Sequence, residues 1–132
     1  MHILLTDETN REPGAGVKFF VYGGLILDAA DLPQLDAGIA EIRGSLGYRP
    51  GDSLKFDTRS RPPQLSVASA TEAKKRVIAL CNDIGAKFIA YVALHDIIRH
   101  LDPDDQVCWA ANTVISQFNK YLRDVVSDDG IC

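Results

Sequence analysis

Apolar positions along the chain recur with two different periods. Residues 3–6, 19–27 and 86–94 are short apolar runs bounded by turn residues, and they read as strands. The run at 86–94 is apolar on both sides: Phe88, Ala90, Val92 and Leu94 alternate with Ile89, Tyr91 and Ala93. The run at 19–27 has the same character. Both are therefore expected inside a sheet covered on its two faces. Gly23 and Gly24 predict a bulge or a close backbone approach within the second run. The Pro- and Gly-containing turn at residues 11–16 makes the first two strands an expected antiparallel hairpin.

Steps of three and four mark the helices. Leu32, Leu35, Ile39, Ile42 and Leu46 form one stripe over residues 32–46, with Asp31 as expected N-cap and Gly47 as stop. Ala70, Ala73, Val77, Leu80, Cys81 and Ile84 form a second, opened by a Ser69–Glu72 capping box and closed by Gly85. Residues 97–101 read as a short helical turn. Cys108, Ala111, Ile115, Phe118, Leu122 and Val125 mark a last helix over residues 105–126, near whose start Trp109 is expected as a core or helix-packing residue and not as a base-stacking platform. Within the long connection at 48–64, residues 53–57 read as a short strand. Residues 128–130 read as a turn, and Ile131-Cys132 as the start of a strand with no room to form. The last helix should then leave its apolar face partly exposed or paired with a second chain.

The order is strand, strand, helix, short strand, helix, strand, helix, incipient strand. This predicts a single α/β domain with helices on the faces of a mixed sheet. A ribonuclease H-like arrangement fits: a central first strand, strand 86–94 parallel beside it, and the last strand missing. The length of 132 residues suffices for one domain with a core. A net charge of -4 excludes a globally basic nucleic-acid binder. It leaves one basic concentration, Arg49, Lys55, Arg59 and Arg61 against Asp52 and Asp57, as a loop able to hold phosphates of a nucleic acid. No apolar run is long enough for a membrane span. Cys81, Cys108 and Cys132 show no metal or disulfide spacing, which predicts reduced cysteines and a cytoplasmic protein. His95 and His100 are five apart and share no helical face, so they form no zinc pair.

The candidate chemistry lies at strand ends. Asp7 and Glu8 follow the first run, and His95 and Asp96 follow residues 86–94. If those two strands were neighbours, the four residues would gather where ligands sit in open α/β sheets. Asp7 and Asp96 would hold Mg²⁺ or Mn²⁺, and Asp7, Glu8 and Asp96 would form the catalytic set. Lys55, Arg59 and His95 would meet the phosphate. Such a site hydrolyses phosphodiesters through a metal-activated water. Neighbours on a strand point to opposite faces, so only one of Asp7 and Glu8 enters the site unless the strand has turned. The plainer alternatives are a solvated loop at Asp7-Glu8 and an N-cap at Asp96.

Three motifs carry a resemblance. Thr6-Asp7-Glu8-Thr9-Asn10 stands where a strand runs into D-E-S-G; Phe20-Val21-Tyr22-Gly23-Gly24-Leu25-Ile26 matches F-V-x-G-G-L-I; Leu54-Lys55-Phe56 matches a later L-K step. In these the chain resembles the family labelled domain of unknown function 3800, grouped with ribonuclease H-like folds. The resemblance implies fold more than activity. Thr9-Asn10 replaces Ser-Gly, and the family's further strand, ending in another aspartate, has no counterpart before Cys132. Two functions follow: a divalent-metal-dependent nuclease, or a non-catalytic interaction domain that kept the fold. The number of acids converging at the strand ends separates them.

Overall fold

A computed structural model of the chain describes residues 1–14, 16–55 and 57–126. Strands β1 (His2–Thr9), β2 (Phe19–Asp28) and β3 (Lys87–Leu94) form a three-stranded sheet in the order β1-β2-β3. β3 runs antiparallel to β2, with Phe19 opposite Leu94 and Ile26 opposite Lys87. β1 is antiparallel to β2 as well: the backbone of Leu5 faces Gly24, and Thr6 Oγ1 lies 3.0 Å from the Tyr22 hydroxyl. The hairpin of β1 and β2 is thus as expected. The ribonuclease H-like mixed sheet is not. The first strand is at an edge, β2 is central, and β3 pairs with β2 instead of lying parallel beside β1. The long helical connection before β3 lets that strand return on either side of the hairpin, and hydrophobic period does not choose the side. Ser53, Leu54 and Lys55 belong to no strand. Phe56, the turn at 128–130 and Ile131-Cys132 lie outside the described residues, and so does the expected C-terminal dimer edge.

The chain divides into two compact units. The first comprises Met1 and Leu27–Ala86. Its helices are α1 (Leu32–Ser45) and α2 (Val67–Asp83), which pack on each other around Ile42, Tyr48, Leu65 and Ala73. Asp31 occupies the N-cap position of α1 but makes no cap bond; Asp28 instead caps the 3-10 turn Ala29–Asp31, accepting from Ala30 N at 3.0 Å. α2 begins three residues before the expected box. Ser66 is its cap, accepting from Ser69 N at 3.0 Å, so Ser69 lies inside the helix. Gly47 and Gly85, at φ of 87° and 71°, follow the two helix ends as predicted.

The second unit holds His2–Ile26 and the chain from Lys87 on. Helices α3 (His95–Ile98) and α4 (Pro103–Tyr121) cover one face of its sheet. Phe20 is fully buried there with Ile98 and Ala110, flanked by Tyr22, Tyr91 and Ala93. The Phe20 and Tyr91 rings meet edge to face at 6.5 Å, the favoured aromatic geometry. Asp102 caps α4, accepting from the Asp105 and Asp104 amides at 2.9 Å each, and these bonds hold its carboxyl below the usual range.

The buried stripe of α4 is Gln106, Ala110 and Val114, rotated from the expected one. Gln106 is tolerated inside because its Nε2 donates to the Leu101 and Ile98 carbonyls at 3.0 and 3.3 Å. Cys108, Trp109, Ile115 and Val125 are exposed instead.

β2 is pressed from both sides. A Cβ at Gly23 would lie 2.7 Å from the Ile89 carbonyl oxygen, and one at Gly24 would collide with the Leu5 carbonyl. The glycine pair thus marks a close backbone approach, as its sequence predicts. We expect Gly24→Ala to destabilise the protein by about 1–3 kcal/mol, because rigid backbone must move. Gly44→Ala, near the end of α1 with nothing within 4 Å, should gain about 0.5 kcal/mol from helix propensity. Urea unfolding of the two variants checks the contrast.

Candidate functional site

Strand alternation places Asp7 and Glu8 on opposite faces of β1, because both lie within the strand and not after it. Asp7 is exposed, and the polar bond it makes is with its neighbour's amide, Glu8 N to Oδ1 at 2.9 Å. It lines a shallow hollow of about 380 Å³ together with Leu5, Gly23, Leu25, Phe88 and Ala90. Asp7 is therefore level with Gly23 and Ala90, which face each other across β2 and β3. Asp96 is reached only beyond Leu94, four residues and roughly 13 Å further along β3, and two strand spacings, roughly 10 Å, lie between β1 and β3. Two oxygens on one Mg²⁺ span only about 4 Å. The fold does not bring Asp7 and Asp96 together.

Asp96 is exposed in the first turn of α3, whose N-cap is Leu94 with no side-chain cap bond. The Asp96 cap reading is replaced by a helix that begins two residues earlier than expected. His95 is buried, with Nε2 unpartnered among the described residues, and its backbone N–H donates to Lys18 O at 3.0 Å. A side chain so placed faces core and not a phosphate. Among the described residues, no group of three His, Cys, Asp or Glu side chains is placed to hold a metal ion. At Asp7 the donor set is one carboxylate.

Lys55 and Arg59 belong to the first unit. Lys55 is exposed on irregular backbone. Arg59 bonds Asp57, Nε to Oδ1 at 3.3 Å, and its amide donates to the same oxygen at 2.9 Å, which lowers the Asp57 carboxyl below its usual range. Arg61 turns inward, Nε donating to Leu65 O and Nη1 to Thr58 O, both at 2.9 Å. Asp52 accepts from Arg49 N at 2.6 Å and Gln64 Nε2 at 2.7 Å. Much of the loop's charge is thus spent on holding the loop's own shape.

The second face of the sheet was the feature that hydrophobic period concealed. Phe88 is 69% exposed, Val92 56%, Leu5 49%, Phe19 46% and Leu94 40%. The register puts Phe19 beside Leu94, Val21 beside Val92, Gly23 beside Ala90 and Leu25 beside Phe88, so these residues form one continuous surface. An apolar run on both sides of a strand is read as double burial; β3 instead has one partly covered side and one bare side, at a sheet edge.

No known protein family matches the chain, and no curated protein and no solved structure is detectably similar to it. Among the described residues no helix is long and apolar enough to cross a membrane.

The inward turn of Arg61 yields a test of the basic loop. Arg61→Ala should cost about 1–3 kcal/mol of stability, since two carbonyls lose a charged donor. Lys55→Ala should leave the unfolding midpoint within about 0.5 kcal/mol, as for an ordinary surface position. Paired chemical denaturation curves measure both.

Proposed function

We propose that this chain is a protein-binding domain whose working surface is the open apolar face of the β1-β2-β3 sheet. The observation that carries the reading is the continuity of Phe19, Leu94, Val92, Phe88 and Leu5 on that face. Taking about 200 Å² for a phenylalanine and about 120 Å² for a leucine or valine, their exposed fractions amount to roughly 400 Å². The largest apolar patch on a typical monomer is of about that size and is often functional. Rigid strands present the surface, so little ordering entropy is lost when a partner docks. The two stretches that resemble motifs of the domain of unknown function 3800 family, Thr6–Asn10 and Phe20–Ile26, fall on the same sheet or at its end.

A second reading, metal-dependent phosphodiester hydrolysis, rests on the exposed Asp7 carboxylate beside the hollow, with which no cation pairs among the described residues. Among the described residues it has this one carboxylate on the hollow, and it requires further ligands from outside them.

Two measurements separate the readings. An environment-sensitive apolar dye such as bis-ANS should bind the folded protein at low concentration and lose most of its signal in Phe88→Ser/Val92→Ser with the circular dichroism unchanged. Dye binding indifferent to those changes would overturn the proposal. Millimolar Mg²⁺ or Mn²⁺ should leave the melting temperature unmoved. A metal-dependent rise abolished by Asp7→Asn would favour the hydrolase instead.

A further inference from the structure

The open face carries its own counterpart. Phe88 is its most exposed large side chain, and two residues along the same face of β3 lies Ala90, opposite Gly23. The two small residues leave the 380 Å³ hollow, walled by Leu5, Leu25, Asp7 and Phe88 itself. A knob and a hole that differ by one step on one strand are self-complementary. Phe88 and Ala90 are about 7 Å apart along β3. A two-fold axis lying between two facing sheets, and crossing β3 midway between these residues, sets each Phe88 over the other copy's Ala90. Such an arrangement is isologous and closes at two copies.

We propose that the chain forms a face-to-face homodimer through this surface, with Phe88 of each copy seated in the Gly23–Ala90 hollow of the other. The inference rests on the protein-binding reading and names its partner as a second copy. Area supports that occupant. Two patches of roughly 400 Å² give about 800 Å², and the half-buried Val21 and Leu25 and the glycine backbone bring the total towards the 1,000 Å² or so that specific association needs. A pair at that lower bound is a weak, concentration-dependent dimer. Asp7 lines the same hollow from the outer strand β1, at the edge of the face, where its exposed carboxylate stays open to water.

Sedimentation equilibrium across about 1 to 500 µM, with reductant present because Cys108 is exposed, tests the dimer. The mass should rise from one chain to two within that range. Phe88→Glu should weaken the dimer about a hundredfold or more, since both copies lose a central anchor. Ala90→Arg should do the same by filling the hollow while leaving Phe88 in place. Ile78→Ser, an exposed apolar position on α2, should change nothing. A monomer throughout, or a dimer indifferent to both Phe88→Glu and Ala90→Arg, overturns the inference. If the monomer nevertheless binds bis-ANS through Phe88 and Val92, the face serves a different protein and the binding-domain reading stands. If it does not, both fall together.

Discussion

The second unit depends on how closely three backbones approach at the middle of β2. Gly23 and Gly24 sit where the carbonyls of Ile89 and Leu5 come in from the two neighbouring strands. No residue with a Cβ fits both places without pushing a strand away. The glycines weaken the strand, since glycine loses more conformational freedom on folding than other residues. That cost is offset on the covered face, where Phe20 is wholly buried against Ile98 and Ala110. The same pair shapes the opposite face: where Gly23 meets Ala90 there is a dip between Leu5, Leu25 and Phe88. One local constraint thus sets both the spacing of the sheet and the relief of its bare side.

Local features were legible in the sequence, and neighbourhood was not. The strands at 19–27 and 86–94 and the helices ended by Gly47 and Gly85 follow from period and punctuation. The side on which β3 returns is decided by packing between segments far apart in sequence, and no short pattern encodes it. The buried face of α4 escapes hydrophobic period for a specific reason. Gln106 counts as polar in any periodicity, yet it lies inside with its amide bonded to two carbonyls, so the true stripe of Gln106, Ala110 and Val114 is hidden behind a glutamine. The start of α2 is ambiguous in the sequence because Ser66 and Ser69 can each cap a helix, and their hydroxyls lie 2.9 Å apart.

The candidate catalytic set shows the same division. Each acid was found as a residue at or near a strand end, but their assembly presupposed that β1 and β3 are neighbours. With β2 between them, the position of Asp7 relative to Asp96 is fixed by two strand spacings and a six-residue offset from Ala90 to Asp96, not by chemistry. The basic loop failed to be a free cluster for a different reason. Arg61 and Arg59 find oxygen acceptors within a few residues, and local bonds take precedence over a composition that looks like a phosphate site.

The bare side of β3 also bears on unwanted pairing between chains. From Phe88 to Leu94 it has seven consecutive uncharged residues of high strand propensity, on an edge strand, without proline. Segments of this kind are the usual seeds of cross-β stacking between unfolded or partly open chains. The charges that oppose it are placed at its ends, Lys87 before and Asp96 after, and across the sheet at Asp7. Asp7 adds a charge of the kind that opposes indiscriminate pairing, on the strand at the other edge of the sheet.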